Sequence, residues 1–300
     1  MTNEKKYAII IIIEENWHFL GVKKFMKVKS INLKDEYGVK GGVLDCIAMD
    51  FPFDGEKAWK RPAVIVVPGG GYAMCSKREG EPIALEFLAR GFQVFVLWYL
   101  NSSDGVAYPE QLTEIACAVD YVKKHAKEFS VNPDEVFPVG FSAGGHLTAS
   151  LACLYGEVEA LSGLSLDCKP TATGLCYPVI YKDGHVGSFD YLLQGYPEEE
   201  RAALTKKLCL YERVNADTPP AFIFSSAEDT TVPPKNALLY AMAMAEHGVP
   251  FELHVYPKGA HGLANCNKEI SADYGDGIVQ SKAWVDSCAA FFRQFTAEQF

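Results

Sequence analysis

At 300 residues, 49% apolar and 22% charged, the chain can bury a large core and is too apolar to be disordered over most of its length. A formal net charge of −10 repels polyanions, which excludes nucleic acid as a partner class and disfavours anionic membrane surfaces. A neutral small-molecule substrate fits that balance.

Residues 7–13 (YAIIIII) follow Lys5 and Lys6 but stop at Glu14 and Glu15. The run is too short to span a bilayer and no small-residue cleavage site follows closely, so it reads as an extra strand or a loosely held extension. Met26 is an alternative start, because patterned sequence begins after it. Residues 1–41 thus form an N-terminal extension and first strand region, and residues 42–300 a single α/β domain. Val43–Phe51 reads as a strand. Ala63–Val67 and Phe92–Trp98 are continuous β-rich runs of the kind buried on both faces. Glu81–Arg90 between them reads as a helix stopping before Gly91. Pro109 opens a second helix, with Leu112, Ile115, Ala116, Val119 and Val122 at helical spacing. Val136–Gly140 is a short strand running into Phe141-Ser142-Ala143-Gly144-Gly145-His146, and a helix follows with Leu147, Leu151 and Leu154 on one face. Thr173–Ile180, Ala221–Ser226 and Phe251–Tyr256 read as later strands, Pro233–His247 and Lys282–Phe295 as later helices. Residues 181–216 lack clear periodicity and read as a lid-like insertion above the sheet. This alternation implies an α/β fold: a mostly parallel central sheet, helices on both faces, and functional loops at the carboxyl ends of the strands. Pro138 conflicts with a central strand, since it cannot donate to a ladder, so either a neighbouring carbonyl lacks a partner or the strand is bulged.

The nine cysteines (46, 75, 117, 153, 168, 176, 209, 266 and 288) are scattered and contain no C-x-x-C pair. They read as reduced core residues of a cytoplasmic protein, in which the sequon Asn101-Ser102-Ser103 carries no meaning. Neither a metal nor an organic cofactor is expected.

Gly140-Phe141-Ser142-Ala143-Gly144 matches G-x-S-x-G, and a β-run precedes it while a helix pattern follows. That setting holds a serine on a strained strand-to-helix turn, its hydroxyl clear of the sheet and near a helix N-terminus. A serine nucleophile needs a histidine to take its proton and a carboxylate to orient the histidine, here in the chain order Ser, Asp/Glu, His. Of the seven histidines, His261 stands in Gly259-Ala260-His261-Gly262, just after the last strand, where the base belongs. His146, one helical turn after Ser142, reads as structural. Asp229 heads a D-x-x-V-P turn after Ala221–Ser226 and is the favoured acid; the alternative is that Asp229 only caps a helix and Glu228 orients the base. Pro68-Gly69-Gly70-Gly71-Tyr72 follows Ala63–Val67. The backbone N–H groups of Gly70, Gly71 and Ala143 are therefore the candidate oxyanion hole. The same glycines do not complete a phosphate-binding motif.

Together, Pro68-Gly-Gly-Gly-Tyr72, Gly140-Phe-Ser-Ala-Gly-Gly-His146, Asp229-x-x-Val-Pro233 and His261-Gly262 resemble the α/β-hydrolase esterases over roughly residues 42–295. The likeness is greatest to bacterial acetyl esterases related to acetyl-xylan esterases, near the hormone-sensitive-lipase-like branch. Ser76-Lys77-Arg78-Glu79-Gly80-Glu81-Pro82, and Tyr177-Pro178-Val179-Ile180 with His185 and Ser188-Phe189 beyond it, also resemble that group. Pro68 replaces the histidine that many lipase relatives carry before the glycines, which leans away from lipases. The resemblance implies removal of O-acetyl groups from sugars or oligosaccharides, with Tyr72, Trp98, Tyr181 and His185 as candidate pocket residues. Two rivals stand beside it. One is a peptidase or amidase on the same fold, although such peptidases usually add a large propeller or cap for which this chain has no room. The other is a non-catalytic binding protein, which would normally have lost a member of the triad. The partner expected is a small-molecule or oligosaccharide ester, with no nucleic acid and no membrane; association into a homo-oligomer stays open.

Overall fold

The computed structural model describes residues 26–49, 60–268 and 281–297. Eight strands form one sheet: β1 (Met26–Asn32), β2 (Val43–Met49), β3 (Arg61–Val67), β4 (Gln93–Trp98), β5 (Val131–Phe141), β6 (Thr173–Cys176), β7 (Ala221–Ser226) and β8 (Phe251–Tyr256). Their spatial order is β1-β2-β4-β3-β5-β6-β7-β8. β2 runs antiparallel to both of its neighbours, and β4 through β8 are all parallel. The helices are α1 (Leu33–Tyr37), α2 (Glu81–Ala89), α3 (Glu110–Lys124), α4 (Ala143–Leu154), α5 (Val158–Ser162), α6 (Val186–Leu192), α7 (Glu198–Lys207), α8 (Lys235–Glu246) and α9 (Trp284–Arg293).

The apolar runs are continuous because successive side chains point to opposite faces and both faces are covered. Ala63, Ile65 and Val67 of β3 pack with Leu112, Ile115 and Val119 of α3 and Leu147 and Leu151 of α4. Val64 and Val66 pack instead with Ile83 and Phe87 of α2 and Trp284 and Phe292 of α9. On β7 the same alternation sends Ile223 toward α8 and Phe222 and Phe224 toward α9. This is the α/β-hydrolase architecture. One carboxylate is carried inside it: Glu114 of α3 is fully buried, accepts from the Leu100 N–H at 2.8 Å, and is pushed by burial up to about 8. Near neutral pH it therefore sits mostly as the uncharged acid, which lowers the cost of its position.

Several boundaries differ from the sequence expectation. The strand expected over Thr173–Ile180 ends at Cys176, because Tyr177 takes a left-handed turn (φ 37°) and the following chain wraps the serine turn instead. There the Val179 N–H donates to the Ser142 carbonyl at 3.0 Å. β5 begins at Val131 rather than Val136. Residues 7–13 and the last two positions of the strand expected over Val43–Phe51 lie outside the described residues. Within 181–216 the chain forms α6 and α7 and packs back on the core: Leu192 accepts from the Tyr108 N–H and Ile180 from the Leu210 N–H, each at 2.9 Å.

Pro138 does not require a bulge at its own position. The Val136 N–H donates to Thr171 Oγ1 and the Ser142 N–H to the Cys176 carbonyl, both at 3.0 Å and both on the β6 side. Alternation places the Pro138 nitrogen on that side too, where the β6 ladder begins only at Val139. Pro138 keeps its register opposite Ile65 of β3; the irregularity in that pairing lies between Arg61 and Ala63.

Candidate active site

Ser142 joins the end of β5 to the start of α4 with φ 52° and ψ −115°, a conformation that a non-glycine residue holds only when its surroundings impose it. Three backbone bonds do so: the Ser142 N–H donates to the Cys176 carbonyl, and its carbonyl accepts from the N–H groups of His146 and Val179, all at 3.0 Å. The flanking glycines follow from crowding. A Cβ on Gly144 would lie 2.2 Å from the Val67 carbonyl oxygen, and one on Gly140 would lie 2.2 Å from that of Gly144. β3, β5 and α4 can meet this closely only without those side chains.

The loops after β7 and β8 bring two more groups to this hydroxyl. His261 Nε2 lies 2.8 Å from Ser142 Oγ, and Nδ1 lies 2.7 Å from Asp229 Oδ2. Asp229 is almost wholly buried, and its Oδ1 accepts from the N–H groups of Thr231 at 3.0 Å and Val232 at 2.8 Å. A carboxylate can only accept, so the imidazole proton sits on Nδ1 and Nε2 is free to accept from the serine O–H. Glu228 points elsewhere: its carboxylate pairs with Lys258 and accepts from the Gly259 N–H at 3.1 Å. Asp229 closes its own turn, whereas the residue preceding α8 is Pro234, so Asp229 is not the cap of that helix.

The glycine loop after β3 lies against the serine. A Cβ on Gly69 would fall 3.0 Å from Ser142 Cβ. Gly70 has φ 126°, and a Cβ there would be 2.1 Å from the Met74 carbonyl oxygen, so only glycine fits. The Gly70 carbonyl accepts from the N–H groups of Ala73 and Met74, and the Gly69 N–H donates to Glu79 Oε2 at 2.9 Å. Among the described residues, no partner is present for the N–H groups of Gly70, Gly71 and Ala143. Gly71 also faces the insertion: a Cβ there would be 3.9 Å from Ser188 Oγ.

Three of the aromatic residues expected to line a pocket are engaged elsewhere. Tyr72 is buried, and its O–H donates to His146 Nδ1 at 2.8 Å, while His146 Nε2–H donates to the Leu208 carbonyl at 3.2 Å. Burial pushes His146 down to about 4, so the ring stays neutral and this Tyr72–His146 pair braces the serine turn. Trp98 donates from Nε1 to Asp45 Oδ2 at 2.7 Å and packs over Gly80. Tyr181 packs on Tyr211 and lies under the Lys235 ammonium. His185 is different. Its Nδ1 accepts from the Ser188 N–H at 3.2 Å, and its ring is held below the usual imidazole range by burial first and then by the nearness of His261. Two site-adjacent residues had no assigned role in the sequence reading: Glu79, buried beside the glycine loop, and Tyr177, whose ring stands edge-on to the His261 ring at 5.1 Å. The signals available were a charged residue soon after three glycines and a tyrosine at the carboxyl end of a strand.

Among the described residues no helix is long and apolar enough to cross a membrane, and no group of three His, Cys, Asp or Glu side chains could hold a metal ion. The nine cysteines are free.

The BD-FAE family profile matches residues 49–173, and the prolyl oligopeptidase family profile matches residues 179–287. An endo-1,4-β-xylanase B of Butyrivibrio fibrisolvens is 35% identical over 73% of this chain, and an acetylxylan esterase of Xylanibacter ruminicola is 31% identical over 67% of it. The chain spans only 35% and 41% of the lengths of these two relatives. The crystal structure of an acetyl ester-xyloside bifunctional hydrolase from Caldicellulosiruptor lactoaceticus superposes with a TM-score of 0.75 at 30% identity, covering 89% of this chain and 96% of that one.

Proposed function

The chain belongs to the α/β-hydrolase esterases, carboxylic ester hydrolases built on this fold, and from that premise we propose that it removes short acyl groups, chiefly O-acetyl, from sugars or xylo-oligosaccharides through an acyl-enzyme on Ser142. The observation that carries the reading is the continuous run Asp229–His261–Ser142, with links of 2.7 and 2.8 Å. In the first half-reaction Ser142 Oγ attacks the ester carbonyl carbon while its proton passes to His261 Nε2. Asp229 holds the ring and stabilises the imidazolium. The N–H groups of Gly70, Gly71 and Ala143 receive the negative charge on the carbonyl oxygen. The C–O bond then breaks, the alcohol leaves with the proton from His261, and an acyl-Ser142 ester remains. Water, deprotonated by His261, then attacks that ester; the acyl C–Oγ bond breaks, Ser142 Oγ takes the proton back from His261, and the carboxylic acid is released.

Support for acetyl and sugar chemistry comes from the relatives: an acetylxylan esterase and an acetyl ester-xyloside hydrolase stand among them. The match of the second half to the prolyl oligopeptidase family makes amide substrates the competing class. A p-nitrophenyl ester series from acetate to octanoate, run beside acetylated xylo-oligosaccharides and aminoacyl p-nitroanilides, separates these readings. The expected outcome is the highest kcat/KM on acetate or propionate, a fall of at least about tenfold by octanoate, acetate release from the oligosaccharides, and no turnover of the anilides. A preference for octanoate defeats the acetyl assignment, and faster turnover of anilides than of esters replaces the esterase with a peptidase.

A further inference from the structure

Glu79 is buried between three segments of chain, and the mechanism above gives it no part. Its Oε2 accepts from the Gly69 N–H at 2.9 Å, in the loop that carries Gly70 and Gly71. Its Oε1 accepts from the Tyr177 O–H at 2.7 Å. The Tyr177 hydroxyl oxygen in turn accepts from the Ala264 N–H at 2.9 Å, in the loop that carries His261. Tyr177 holds a left-handed backbone (φ 37°), and its own N–H donates to the Phe224 carbonyl at 2.6 Å. Two donors converge on one side chain, and a carboxylate is the group that accepts from both without presenting a donor of its own.

We propose that Glu79 and Tyr177 form one buried relay of positioning residues that sets the glycine loop and the histidine loop at reacting distance from Ser142. By taking the Gly69 N–H, Glu79 fixes that peptide and leaves the next two N–H groups, of Gly70 and Gly71, for the reacting carbonyl. By holding the Ala264 N–H, Tyr177 fixes the segment that carries the base. The proposal rests on the Ser142 acyl-enzyme reading.

The test uses Glu79→Gln, Tyr177→Phe and the double variant. Glutamine offers one oxygen and one NH₂, so one of the two donors facing position 79 meets another donor. Phenylalanine keeps the buried ring and removes only the hydroxyl. Active sites are counted by fluorophosphonate titration, so that kcat refers to competent molecules. Each single variant is expected to lose on the order of 10- to 100-fold in kcat on p-nitrophenyl acetate, with KM within about twofold. The inhibition constant of a trifluoromethyl ketone, whose adduct places an oxyanion where the ester would, should rise by a similar factor. The double variant should be no worse than the worse single variant beyond about twofold. An unchanged kcat per titrated site, with only a smaller active fraction or lower melting temperature, would overturn the proposal, as would losses that multiply in the double variant. If Glu79→Gln does not fold, the Tyr177→Phe kcat and inhibition constant decide alone. Ser142→Ala in the same assay separates the two levels: turnover retained there defeats the esterase reading, whereas turnover lost there but intact in Glu79→Gln defeats only this relay.

Discussion

His261→Ala is expected to lower kcat on p-nitrophenyl acetate by on the order of 10⁶-fold, and Ser142→Ala combined with it to lower kcat no further. A hydroxyl is almost wholly protonated at neutral pH, so attack requires a base at hydrogen-bond distance from Oγ, and His261 Nε2 occupies that place at 2.8 Å. Without the ring, Ser142 keeps its strained backbone and the glycine loop keeps its N–H groups, but the proton has nowhere to go. The two residues act as a unit, so removing the second after the first costs little more. Purified single and double variants measured against a heat-denatured control check this. Losses that multiply would show that serine and histidine act independently.

Asp229→Asn is expected to lower kcat by on the order of 10⁴-fold while leaving the fold intact. The reason lies in how the carboxylate is already used. Oδ1 accepts from the N–H groups of Thr231 and Val232, so an asparagine keeps its single oxygen there and turns its NH₂ toward His261 Nδ1. Two donors cannot share that bond. The ring then carries its proton on Nε2, facing Ser142, and cannot accept the serine proton. Asparagine has nearly the shape of aspartate, so thermal melting should stay close to wild type. A loss under tenfold would mean that Asp229 does not set the tautomer.

Much of this arrangement was legible in the sequence where a local rule forces the residue choice. β3, β4 and β7 were visible because strands buried on both faces leave unbroken apolar runs. Ser142 was visible because the close approach of Gly144 to the β3 carbonyls demands the glycine pattern around it. His261 and Asp229 were visible from their places after successive strands. What was not legible depends on partners far apart in the chain. β1 is mostly exposed and so lacks alternation. Residues 177–180 look like more of β6, but Tyr177 takes a left-handed backbone and the Val179 N–H turns to the Ser142 carbonyl. Tyr72 and Trp98 sit beside functional loops, but His146 and Asp45 claim their polar ends. Glu79 and Tyr177 lie 98 residues apart, beyond any local pattern.

Covalent labelling with a fluorophosphonate tests the central claim most directly. Intact-mass and peptide mapping should find one adduct per chain, on the peptide carrying Ser142, formed far more slowly in His261→Ala and absent in Ser142→Ala. An adduct on any other residue, or undiminished labelling of Ser142→Ala, would contradict an acyl-enzyme at Ser142.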